Sequence, residues 1–181
     1  MTATPAENAL QQAARGDQAA FAGLVREHQG MVFSICWHYL HDRAAAEELA
    51  QEVFLSMHQS LDQIESGAHL TRWLRRVTTH RCIDQTRRRK LRPRVGLDQA
   101  PEPSSPPQRT DPMLAGLLER LVAGLPDRAR MIVILRFQEE MEPAEIAEAL
   151  GIPVGTVKSN LHRSLAVLRS KLERVEKGVV R

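Results

Sequence analysis

Glu142 to Leu168 reads EPAEIAEALGIPVGTVKSNLHRSLAVL, and the spacing within it sets the fold. Ile146, Ala147 and Leu150 recur at helical steps and form the inner face of a short helix. Gly151 permits a sharp turn, because glycine alone enters left-handed backbone at little cost. A second helix begins near Val154, with Val157, Leu161, Leu165 and Leu168 as its expected inner stripe. Two short helices joined by a glycine-containing turn make a helix-turn-helix, whose second helix can enter a major groove. Its outward positions are Thr156, Lys158, Ser159, His162 and Arg163. Lysine and arginine can reach guanine edges, serine adapts to either partner, and threonine can hold a phosphate. Any helix can carry a solvated charged face, but here glycine, apolar spacing and exposed donors agree on DNA contact.

Upstream, helices are expected over about 112–124 and 127–139, followed by 143–150 and 154–176. Pro126 and Pro143 fall near helix starts and Gly124 and Gly151 near helix ends. Before them, composition changes abruptly. RPRVGLDQAPEPSSPPQRTDP, residues 92–112, contains six prolines and little to bury. Proline removes amide donors and restricts its predecessor, so 92–111 reads as an extended, flexible tether. Asp111-Pro112 resembles an N-cap followed by proline at the first helical position.

The N-terminal part is helical too. Phe21, Leu24, Val25, His28, Val32, Ile35, Cys36 and Tyr39 mark one face of a long helix, with Asp17 placed to cap it. A second stripe runs Ala46, Leu49, Val53, Met57 and a third Leu70, Leu74, Val77. No sustained alternation suggests a strand. The expected fold is all-α, with two small helical domains, 1–91 and 112–181, joined by a Pro-rich linker.

Charge is distributed unevenly within a net of only +3. Leu70 to Arg94 carries ten cations against the single Asp84, an electrostatic footprint for a phosphate backbone. Trp73 and His80 lie among these cations and could stack on unpaired bases; core packing is the alternative for Trp73. The run lacks the broad apolar face of a membrane-surface helix. Glu48, Gln51 and Glu52 form an acidic face, which from its residues alone reads as solvated surface. A duplex reader together with a basic, aromatic single-strand surface suits a protein that locates duplex DNA and then holds it melted.

These segments resemble a known family. AEELAQEVFL (46–55) followed by WLRRVTTHRCIDQTRRRK (73–90) is similar to region 2 of sigma-70 factors. LPDRARMIVILRFQEEMEPAEIAEALGIPVGTVKSNLHRSLAVLRSKL (125–172) is similar to region 4. The short chain, with no region 3 domain between the blocks, resembles the extracytoplasmic-function group. The resemblance implies a sigma factor that brings core RNA polymerase to promoter DNA and helps open it. Glu48, Gln51 and Glu52 then match the polymerase-docking positions, reversing the reading of that face as mere surface. Trp73, Arg75, Arg76 and His80 match the minus-ten helix, and the loop at 58–67 matches one that captures a flipped base. Thr156, Lys158, Ser159, His162 and Arg163 fall on the minus-thirty-five reader, and the linker matches a segment threaded toward the active-site cleft. An anti-sigma factor that clamps both domains is the implied regulator.

Four positions depart from the family pattern. His80 replaces a common asparagine, Asn160 an arginine, Ser164 an alanine, and Glu142 a serine cap. A weaker start to the helix at 143 is expected from the last.

Other classes fit less well. An autonomous helix-turn-helix regulator gains nothing from the acidic face, and no nucleophile-base pair or P-loop supports an enzyme. No cofactor or metal is expected: Cys36, His38 and His41 are near in sequence but not on one helix face. No segment approaches a membrane span, and the N-terminus does not read as a secretory signal. The two cysteines fit a reducing compartment. The expectation is a cytoplasmic protein, monomeric when free of partners.

Overall fold

The computed structural model describes residues 5–91 and 112–179. Among the described residues every long element is a helix. The order is α1 (Pro5–Ala14), α2 (Gln18–Leu40), α3 (Arg43–Gln59), a 3-10 turn (Leu61–Gln63), α4 (Gly67–Leu91), α5 (Pro112–Ala123), α6 (Asp127–Phe137), α7 (Pro143–Leu150) and α8 (Val154–Val179). The expected all-α class is met. The proposed linker, 92–111, lies outside the described residues, as does Asp111.

Local chemistry explains the boundaries. Asp17 caps α2, its Oδ1 accepting from Ala19 N at 2.8 Å and Ala20 N at 3.1 Å. Asp42 caps α3 by accepting from Ala45 N at 3.0 Å. Each satisfies amide donors that lack intrahelical partners. Helix α2 ends on His41 in left-handed backbone, φ 49°, with its N–H bonded to Trp37 O. Gly151, φ 63°, closes α7.

The stripes on α2, α3 and α4 face a common interior. Leu24, His28, Val32, Ile35, Cys36 and Tyr39 are buried, as are Ala46, Leu49, Val53 and Met57 and then Leu70, Leu74 and Cys82. Val77 and Phe21 are half-buried. Helix α1, for which no expectation was drawn, packs on α2 through Leu10 and Ala13.

In α8 the stripe departs from the expected one at a single position. Val157, Ser164 and Leu168 are buried and Leu161 is half-buried, whereas Leu165 is 42% exposed. Steps of four, three and four from 157 keep to one face, and 165 rotates off it. The helix-turn-helix itself stands as expected, with α7 packed against α8.

Helix α6 links the two ends of the chain. Met131, Ile132, Val133, Ile134 and Leu135 are all buried, and a helix apolar on every side must be wrapped on every side. Ala129 and Val133 meet Leu125 and Leu168, whereas Met131, Ile132, Ile134 and Leu135 enter the core that also holds Ile35, Tyr39 and Leu74. The two helical sets therefore pack against each other along a seam of α2 and α4 with α6 and α7.

Candidate nucleic-acid interface

Helix α4 displays the basic run. Arg72, Arg76, His80, Arg87, Arg88, Arg89 and Lys90 are exposed, and Arg75 and Arg81 are half-buried. Trp73 is half-buried and packs against the core, so it stands part-way between the two readings given to it. His80 Nδ1 lies 2.7 Å from Arg76 O, which pins the ring along the helix. Before α4, the loop at 58–67 is anchored by buried Leu61 and Ile64, and His58 meets Phe21 edge-on at 5.0 Å.

Many of these cations have internal partners. Arg81 Nη1 reaches Glu52 Oε2 at 2.8 Å, and its Nη2 reaches Ser56 Oγ at 2.6 Å. Arg89 pairs with Asp42 at 3.3 Å and Lys90 with Asp127 at 2.7 Å. Arg75 Nη1 meets Glu145 Oε1 at 3.0 Å, and Arg72 Nε meets Glu148 Oε1 at 3.2 Å. Sequence reasoning missed these partners, because Glu145 and Glu148 lie on α7, beyond the linker. Their spacing of three on a short helix was the available signal.

The acidic face of α3 is exposed at Glu48, Gln51 and Glu52. Glu52 is tied to Arg81; among the described residues Glu48 makes no ion pair. Leu55, one turn on, is 66% exposed. This apolar neighbour, absent from the sequence reading, gives the face a character suited to a protein partner.

On α8, Lys158, Ser159, His162 and Arg163 are exposed and Thr156 is half-buried. Thr156 O accepts from Asn160 Nδ2 at 2.8 Å and Ser159 Oγ at 3.1 Å. Arg163 Nε donates to Ser159 O at 3.2 Å, which lays the guanidinium along the helix. The start of α7 does not depend on a serine cap. Glu145 Oε2 accepts from Glu142 N at 2.8 Å, as in a capping box, while Glu142 Oε1 takes Arg136 Nη1 at 3.0 Å. The Glu142 amide, with the Arg75 guanidinium after it, holds the Glu145 carboxyl below its ordinary range.

The seam contains a second polar cluster. Tyr39 is fully buried, its hydroxyl 3.5 Å from Asp127 O, with the Arg130 guanidinium 4.8 Å above its ring. Burial first, and Asp127 next, push the Tyr39 hydroxyl up to about 12. Ser34 Oγ donates to Glu139 Oε1 at 2.5 Å. Among the described residues no group of three or more His, Cys, Asp or Glu side chains could hold a metal ion, and no helix is long and apolar enough to cross a membrane.

Comparison with known proteins places this geometry. Residues 24–92 match sigma-70 region 2 and residues 115–168 match sigma-70 region 4. The RNA polymerase sigma-E factor of Streptomyces avermitilis is 32% identical over 160 residues, covering 88% of this chain and 89% of that one. The chain belongs to the sigma-70 family, in its extracytoplasmic-function group. SigL of Mycobacterium tuberculosis is 32% identical over 173 residues, 93% of this chain and 97% of that one. SigW of Bacillus subtilis is 29% identical over 178 residues, 90% and 94% respectively. The fold is also that of CnrH, solved in complex with the cytosolic domain of CnrY. The TM-score there is 0.70 at 20% identity, covering 93% of this chain and 97% of that one. RpoE of Bartonella quintana, solved with the anti-sigma factor NepR, matches at TM-score 0.70 and 20% identity over 84% of this chain and 96% of that one.

Proposed function

We propose that this sigma factor binds core RNA polymerase through the α3 face, positions it through α8, and holds separated promoter strands on α4. The observation that carries the reading is the separation of charge: exposed Glu48 and Glu52, with neutral Gln51 between them, on one helix, and exposed cations on two others. Residues 1–91 then serve docking and minus-ten melting, 112–181 serve minus-thirty-five recognition, and 92–111 connect them. Thr156, Lys158, Ser159, His162 and Arg163 read the duplex, whereas Trp73, Arg75, Arg76 and His80 meet the opened strand. The chain performs no chemistry of its own; the polymerase supplies it, in the cytoplasm. The relatives solved with CnrY and NepR support control of this chain by an anti-sigma factor as well.

Reconstituted transcription tests the proposal. Core polymerase with this chain is expected to initiate specifically at promoters mapped after overexpression, and neither component alone should do so. Absence of specific initiation at all of them, with folded protein, overturns the reading. Glu48→Arg is the cleaner test of docking, since Glu52 is engaged with Arg81; it should weaken competition for core while leaving the melting temperature unchanged. Arg163→Ala should cost about 1–3 kcal/mol of discrimination at one base pair. Equal loss on every sequence would make Arg163 a phosphate contact instead. For the regulator, products of genes adjacent to this one should include a protein that blocks core binding; if none of them inhibits, control of this kind is lost.

A further inference from the structure

The exposed row on α4 assigned above to the opened strand has a neighbour about one turn before Arg72. His69, Arg72, Arg76 and His80 follow at steps of three, four and four, which keeps them on one face of the helix. Arg72, Arg76 and His80 are exposed and His69 is half-buried. His69 turns back from this row to the loop that leads into α4. Glu65 N donates to His69 Nδ1 at 3.3 Å. His69 N in turn donates to Ser66 Oγ at 3.2 Å, and Leu70 N to Ser66 O at 2.9 Å. Ser66 is thus the cap of α4 and His69 its third helical residue. In a capping box the third residue accepts from the amide of the cap itself. Here an imidazole accepts from the amide before the cap, so the bond fixes the loop outside the helix. An amide N–H only donates, so Nδ1 carries the lone pair and the ring proton sits on Nε2.

The earlier part of the loop is fixed by other means. Leu61 and Ile64 are buried in the core that also holds Leu10 and Ala13 of α1, and α1 packs on the 3-10 turn. Gln63 N and Ile64 N donate to Ser60 O and Leu61 O at 3.0 and 3.2 Å. Asp62 and Gln63 therefore project from a turn anchored before and after them. Glu65 lies past that turn, is exposed, and has its amide held by the imidazole of α4. A carboxylate beside a row of phosphate-binding cations repels phosphate itself. It suits a base edge instead, accepting from an exocyclic amino group such as cytosine N4. Thymine presents the carbonyl O4 at the same place, which a carboxylate repels.

We infer that His69 is a positioning residue for promoter opening: it sets Glu65 at the head of the α4 row, and Glu65 accepts from the amino group of one unpaired base, cytosine in preference to thymine. The inference deepens the proposed role of α4 in holding the opened strand and rests on that reading. His69 acts through the Glu65 amide, so what matters at position 69 is an acceptor in the place of Nδ1.

The test uses holoenzyme assembled from core polymerase and the full chain, on templates of a mapped promoter whose minus-ten segment is held open by mismatches. Each unpaired non-template position carries cytosine or thymine in turn, and affinities are compared by competition. Wild type should favour cytosine about tenfold at one position. His69→Leu keeps the bulk and removes the acceptor; the preference should fall below about twofold, with binding to core and to thymine templates unchanged. His69→Asn returns an oxygen acceptor near the place of Nδ1 and should recover most of the preference. Glu65→Ala should match His69→Leu, and the double variant should lose no more than either, as residues acting in one unit do. Glu65 is exposed, so this variant keeps the idea testable if His69→Leu does not fold. Asp17→Ala removes the cap of α2 and controls for stability: the melting temperature should fall and the preference stay. A preference retained in His69→Leu or in Glu65→Ala overturns the inference. So does one that His69→Asn fails to recover, since position 69 would then act on the fold of α4 alone. Wild type that prefers open templates without distinguishing the bases overturns the inference by itself; wild type that binds open and duplex templates alike overturns the strand-holding role of α4 and the inference with it.

Discussion

His41 shows how much one residue can hold that its place in the sequence does not disclose. It follows the long α2 stripe, three positions from His38, and a metal role was the only special chemistry its neighbours suggested. In the structure it is the left-handed cap of α2, with Nε2 buried and without a protein partner. Burial first, then the Arg130 guanidinium and His38, push its ring down to about 4. A histidine whose folded value lies below its unfolded value of about 6.5 binds its proton more readily unfolded, so stability rises with pH across that window. The contribution is complete above about pH 6.5 and is lost as pH falls toward 4. His28 and His38 are also lowered by burial and add to the slope, so the comparison must be with a variant. His41→Asn, which tolerates left-handed backbone, should flatten part of this acid limb in thermal melts at pH 4.5 to 7; an identical limb in the variant would remove His41 as a contributor. Cys36 and Cys82 give a related case. Their Sγ atoms lie 3.9 Å apart in the core, a pairing hidden by the long separation in sequence. Their mutual contact, then burial, hold the Cys82 thiol well above its ordinary range. Neither should react with a thiol reagent in native buffer, and both should in denaturant; rapid native reaction would contradict their burial.

At the scale of the element, legibility followed locality. The stripes of α2 and α3 and the turn at Gly151 depend on steps of three and four and on glycine's freedom, so the sequence carries them openly. The same reasoning misplaced the phase of α8 at one position, since leucine at 165 invites a step that the helix does not take. Which side chains α8 buries is decided by α5, α6 and α7 packed beside it, information that a periodicity does not contain. The two phases predict different energetics. Leu168→Ala removes a buried side chain and should cost about 2–4 kcal/mol in urea unfolding. Leu165→Ala truncates a side chain that is 42% exposed and should cost less, about 1 kcal/mol. Equal costs would restore the stripe read from leucine spacing. The start of α7 also holds a bond that the cap residue alone did not suggest: Glu145 reaches back from the third position and accepts from the Glu142 amide. Glu145→Ala should therefore lower helix stability and release Arg75 together, two effects that Glu145→Gln separates.

For the whole molecule, the sequence suggested two bodies on a tether, and the structure adds that they share an interior. The seam joins residues about seventy positions apart, such as Arg75 with Glu145, and no local pattern encodes such a pairing. One signal was nevertheless present: the run MIVIL, 131–135, is apolar at every position, which a helix in a small outer layer does not need. Covered by α5 and α8 on one side, α6 requires a second cover, and α2 with α4 provide it. It follows that residues 112–181 in isolation have an incompletely covered helix. Expressed alone, this piece should melt at a lower temperature than the full chain and bind a hydrophobic dye such as ANS, as exposed apolar surface does. Adding a separately expressed 1–91 piece should reduce dye binding if the seam forms without the tether. A piece 112–181 as stable as the full chain, with no dye bound, would mean that α5, α7 and α8 suffice to bury α6 and that the seam adds nothing to the fold.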